Sequence, residues 1–197
     1  MPRSLRVTVT RLCRAVLLAL SALAAGGGAT GGVASAAELA APGGPVVLTI
    51  AGELGRTNRP AFDAFADSFL AYHEKSFEQA AAFDRAMLQA LGMQTITVDY
   101  AAWPGVMRFE GPWLKDVLAA AGAAGRPITV VALDGYGVEI PADDIEARPW
   151  IVALKANGAD LAIGGRGPTW VLYQTGGPAT ADDEARWGWA VFYIEVR

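Results

Sequence analysis

Phe109-Glu110-Gly111-Pro112-Trp113-Leu114-Lys115-Asp116-Val117-Leu118 reads as the end of a strand running directly into the start of a helix. Val106-Met107-Arg108-Phe109 has the β-branched and aromatic content of a short strand. Pro112 has its φ preset and no N–H to satisfy, which suits a first helical turn, and Gly122 stands just past the far end. Leu114, Val117, Leu118 and Ala121 share one helical face and form its buried stripe. Short strands beside a few short helices, with no regular β-α alternation, predict an α+β architecture.

Towards the C-terminus, Ile128 to Leu133 is a near-continuous apolar run, as expected of a strand covered on both faces. Asp134-Gly135 is a turn signal, and Tyr136 to Ile140 alternates as a strand does. Pro141-Ala142-Asp143-Asp144 reads as a helix start. Further strands are expected at Trp150–Lys155, Leu161–Ile163, Trp170–Tyr173 and Val191–Val196, with Asn157-Gly158 as a hairpin turn. Towards the N-terminus, Thr95–Val98 alternates, and Val46–Ile50, closed by Ala51-Gly52, reads as the first strand. Between these two, Phe62, Phe65, Phe69 and Tyr72 recur at helical spacing, which predicts a core-facing stripe. Phe83, Met87 and Ala90 continue as a second helix stopped by Gly92, so a helical insert is expected over Asp63–Leu91.

The first 14 residues carry Arg3, Arg6, Arg11 and Arg14 and no acid, and a short apolar run and Ala34-Ser35-Ala36 follow. This is the pattern of a secretory signal peptide over residues 1–36, with a retained N-terminal anchor as the alternative. No Arg-Arg pair marks a twin-arginine signal. Residues 37–45, rich in Ala, Gly and Pro, read as a linker without a core face, leaving 46–197 as the folded domain. Loss of the four arginines takes the formal charge from −4 to −8. So acidic a domain is a poor partner for nucleic acid, and no membrane contact is expected after cleavage. The expected location is periplasmic or secreted. The single cysteine, Cys13, falls in the signal segment. The folded domain therefore has no thiolate as nucleophile, metal ligand or disulfide partner.

His73 is the only histidine. It has no second imidazole to share a metal with and lies in the polar stretch Ala-Tyr-His-Glu-Lys, so an exposed surface position is expected. Asp143-Asp144 and Asp182-Asp183-Glu184 lack EF-hand spacing and read as helix-start acids. Two readings are open for Gly164-Gly165-Arg166-Gly167-Pro168. Its glycines would let backbone amides approach an anion with Arg166 adding charge, or the loop is a tight connection between strands. The six tryptophans are expected mostly in the core, with one or two lining a pocket.

Several segments come in an order that resembles the molybdopterin-binding domain of the sulfite-oxidase family, especially its small exported bacterial members. They are Leu48-Thr49-Ile50-Ala51-Gly52, the Phe109–Leu118 stretch, Leu133-Asp134-Gly135-Tyr136-Gly137-Val138-Glu139-Ile140-Pro141, Asn157-Gly158, Gly167-Pro168 and Tyr193-Ile194-Glu195-Val196. The resemblance implies that family's mixed-sheet α+β fold and a pterin pocket, here vestigial, around Asp99, Trp103, Gly165, Arg166 and Gly167. It also implies a molybdenum-ligating cysteine shortly before Trp103, where this chain has Asp99 and Tyr100. An arginine is implied two residues after Pro168, where Trp170 stands. A carboxylate is a harder donor than a thiolate, and losing the arginine removes a bidentate contact. The expectation is a non-catalytic binding or accessory module without cofactor, its partner an unidentified protein or a small anionic ligand. The alternative is a molybdopterin-dependent oxidoreductase with Asp99 in the thiolate's place. A hydrolase has no convergent nucleophile and base in the sequence.

Overall fold

The helix predicted from Pro112 onward forms over Leu114–Ala120 and buries Leu114, Val117 and Leu118. Gly122, at φ +70°, follows it. The reason for glycine before the proline is a close approach. A Cβ on Gly111 would sit 2.0 Å from the carbonyl oxygen of Val152. That contact lets the strand Met107–Gly111 pass against Trp150–Ala153, where Val152 donates its N–H to the Pro112 carbonyl at 2.9 Å.

The computed structural model describes residues 39–197, so the signal-peptide reading lies outside the described residues. In chain order the elements are β1 (Val46–Gly52), α1 (Ser68–Tyr72), β2 (Ala80–Asp84), α2 (Arg85–Ala90), β3 (Gln94–Val98), β4 (Met107–Gly111) and α3 (Leu114–Ala120). They continue as β5 (Ile128–Ala132), β6 (Gly137–Ile140), α4 (Ala142–Ala147), β7 (Trp150–Ala153), β8 (Lys155–Ala156), β9 (Ala159–Asp160), β10 (Thr169–Tyr173), α5 (Ala181–Glu184) and β11 (Gly188–Val196). The fold is mixed α+β, with two sheets and few helices. The larger sheet runs β2-β1-β11-β10-β7, and β5 pairs with β11 and carries β6. Only β1–β11 is parallel, with Thr49 opposite Tyr193. The smaller sheet is β3-β4-β8-β9 and is antiparallel throughout. The main core packs α3 and the small sheet's Ile96, Val98 and Phe109 against Ile50, Val171, Leu172 and Ile194 of the large sheet. No helix among the described residues is long and apolar enough to cross a membrane.

Four expectations about secondary structure are corrected. The aromatic stripe does not form a core-facing helix, since only Ser68–Tyr72 is helical and Phe65 is 93% and Tyr72 81% exposed. Asp63 is the local cause: its carboxylate takes the N–H groups of Phe65 and Ala66, and such local bonds hold the chain in turns. The second helix shrinks to α2, because Ala80–Asp84 is a fully buried strand antiparallel to β1. Alanine's helical propensity there yields to tertiary pairing. Asp84 caps α2 by accepting from Met87 N–H. Leu161–Ile163 is not a strand. The hairpin around Asn157-Gly158 instead joins β8 to β9, with φ values of 49° and 79° suited to a two-residue hairpin turn. The predicted strand Trp150–Lys155 is divided between the two sheets, the chain crossing at Leu154.

The described part of the linker is tied to the domain. Leu39 packs against the core, and Gly43 and Gly44 donate their N–H groups to Asp84 Oδ2, each at 2.8 Å. Those bonds, after the one from Met87, hold the Asp84 carboxyl below its ordinary range. His73 is half-buried rather than exposed. Its ring lies 4.7 Å from Phe69 and 5.3 Å from Phe192, and its Nε2 has no hydrogen-bond partner.

Candidate functional site

Beyond β3 the chain turns at Asp99–Trp103. The Asp99 carbonyl accepts from Ala179 N–H at 2.6 Å, and Trp103 N–H closes onto the Tyr100 carbonyl at 2.9 Å. The turn brings the Trp103 ring within 5.4 Å of Trp170, 5.6 Å of Trp187 and 5.8 Å of Phe109. On the open side of this cluster is a cavity of about 390 Å³, walled by Trp103, Pro104, Met107, Leu161 and Trp170. Arg166 and Asp160 contribute its charges.

The Gly164–Pro168 loop forms one lip. Gly165 and Gly167 both donate to the Ala162 carbonyl at 3.1 Å, so these two amides are occupied within the loop. A Cβ on Gly167 would lie 2.5 Å from the Leu161 carbonyl carbon, so the tight connection itself demands glycine. The guanidinium remains free of such ties. It stacks 4.8 Å from the Trp170 ring centre and 5.5 Å from that of Trp189, and no carboxylate among the described residues pairs with it. Asp160 is already engaged, by Arg85 at 2.5 Å and Lys155 at 3.9 Å. The Arg166 carbonyl accepts the N–H of Ala190, a residue at φ 54°, where a side chain with Cβ is uncommon. Behind the wall, the Trp170 indole N–H is buried without a partner, as is that of Trp187.

Of the residues singled out from the sequence, Trp103, Gly165 and Arg166 line this cavity. Gly167 is buried directly behind its lip, and Asp99 is exposed and outside the lining. Met107, Leu161 and Asp160 were not anticipated, because they come from β4 and the β9 end, and only the small sheet's pairing brings them there. The residues present do not fit a molybdenum centre. The described residues contain no thiolate, no group of three or more His, Asp or Glu side chains gathers among them, and the cavity's one carboxylate is neutralised by two cations.

A second polar cluster lies around Tyr173. Its hydroxyl donates to Asp183 Oδ1 at 2.6 Å, while Arg148 and Arg186 stack on its ring and both bind Asp144 at 2.7 Å. Trp150 Nε1 also donates to Asp144, at 3.2 Å. Burial, then the bond to Asp183, pushes the Tyr173 phenol up to about 12. The same bond is the main cause holding the Asp183 carboxyl below its ordinary range. Asp183 fulfils the expected capping role through a reciprocal box with Thr180, whereas Asp144 makes no cap and is the hub of this network.

No family model matches the chain, and no curated protein matches it.

Proposed function

We propose that this chain is an exported binding module, built on the sulfite-oxidase-type molybdopterin-binding fold, that does not carry out redox catalysis and holds a small anion at Arg166. The mixed two-sheet α+β architecture is compatible with that fold, and the N-terminal charge and apolar pattern supports export to the periplasm or beyond the cell. The observation that carries the reading is the Arg166 guanidinium. It stands at a tryptophan-walled cavity without a carboxylate partner, whereas every other arginine of residues 39–197 except Arg56 has one. Arg166 is exposed at the cavity's lip, where solution ligands reach it, and an arginine fork suits an oxyanion.

The test is elemental and pterin analysis of the full-length protein expressed in a molybdopterin-competent host and purified from its exported compartment. The expected result is neither molybdenum nor tungsten in stoichiometric amount. One metal per chain would overturn the module reading in favour of an oxidoreductase with Asp99 at the metal.

A further inference from the structure

We infer that the ligand of the tryptophan-walled cavity is a monocarboxylate with an apolar body, such as an aryl or short alkyl acid. This rests on the anion reading above and specifies its chemistry. The cavity, at about 390 Å³, is in the size range of small-molecule sites. Its charge permits one negative group. Asp160 is neutralised by Arg85 and Lys155, so Arg166 is the one cation of the lining left to balance. A dianion such as phosphate would bring a second charge against apolar walls with nothing to pair it.

Polar complementarity points the same way. The side-chain group without a partner on the open side of this cavity is a donor, the Arg166 fork. A carboxylate accepts only, and its two oxygens match the planar guanidinium in a bidentate pair. The guanidinium carbon already lies over the Trp170 and Trp189 rings, 4.8 and 5.5 Å from their centres, and this contact lowers the ordering cost of binding. Trp103, Pro104, Met107, Leu161 and Trp170 then leave an apolar volume for a ring or short chain. A pterin edge, which presents donors as well as acceptors, would find few partners on these walls.

Isothermal titration of the mature protein with 3-phenylpropanoate, 3-phenylpropanol, acetate and inorganic phosphate tests this. The acid is expected to bind at one site about tenfold or more tightly than the alcohol, with acetate and phosphate weaker still. In Arg166→Gln the acid should fall to the alcohol's affinity, and Arg166→Lys should restore part of the preference. Phosphate or acetate binding as tightly as 3-phenylpropanoate, with loss in Arg166→Gln, would overturn the apolar-body assignment and leave the anion reading standing. Equal affinity of acid and alcohol, an acid preference surviving Arg166→Gln, or no binding by any probe would overturn both.

Discussion

Two places in this domain stack guanidinium groups on aromatic rings, and they end differently. At Tyr173, Arg148 and Arg186 lie on one ring and both close onto Asp144, while the ring's own hydroxyl closes onto Asp183. Every charge there has a partner within the chain. At Trp170 and Trp189, Arg166 stacks in the same way and meets no carboxylate. A network whose groups satisfy one another holds the fold together. One left a partner short is poised to take it from solution. On the proposed reading the same residue types serve structure in one place and recognition in the other, and the difference lies in which acids the fold brings near.

The contrast is most easily broken at Asp144, where Asp144→Ala leaves two guanidinium groups and the Trp150 N–H without their acceptor. A loss of about 2–3 kcal/mol is expected, read as a lowered urea midpoint with unchanged slope. No change would mean that the Tyr173 cluster is a surface decoration.

Next is Tyr173→Phe, expected to cost about 1–2 kcal/mol at pH 7 because it removes a hydrogen bond to a charged group. The folded Asp183 carboxyl lies below its ordinary value of 3.8, so the stabilisation is complete above that value and fades as pH falls through the folded one. The penalty of the substitution should shrink in acid accordingly. In alkali the sign reverses. The Tyr173 phenol is raised from 10.0 to about 12, so its stabilisation is complete below pH 10.0 and lost towards pH 12. The wild type should lose more stability over that interval than the Phe variant. Urea melts across pH check both limbs, and a pH-independent difference would remove the Tyr173–Asp183 bond from the account.

Arg166→Gln is expected to change stability least, by at most about 1 kcal/mol, since an exposed stacked cation without an ion pair contributes little. A loss as large as that of Asp144→Ala would place Arg166 with the structural network and remove the ground for a ligand there.

Much of this was readable along the chain wherever local rules agree with the fold. The stripe of α3, the Asn157-Gly158 hairpin, the β5–β6 turn at Asp134-Gly135 and the cap at Thr180–Asp183 all depend on neighbours a few residues away. The Phe62–Tyr72 pattern misled because periodicity states what a helix would bury, not whether a layer exists to bury it against. Asp63 bonding to its own backbone decided for turns. Ala80–Asp84 misled in the opposite sense, as a helix-favouring composition took the edge of a sheet beside β1. At the candidate site, Trp103, Gly165 and Arg166 stood out in the sequence, and of the two readings open for the Gly164–Pro168 loop the tight connection is seen at Gly165 and Gly167, whose N–H groups the Ala162 carbonyl accepts.

The sequence alone determined the α+β class, the acidic character of the domain and the absence of any thiolate from residues 39–197, because these follow from composition and short-range pattern. Whether each charge is answered was decided only by the tertiary structure. Asp144 reaches Arg186 across 42 positions, and Asp160 reaches Arg85 across 75. Arg166 has no carboxylate partner among the described residues, and the acid in its own cavity, Asp160, is bound by Arg85. Pairing depends on distance in space, and distance along the chain carries almost no information about it.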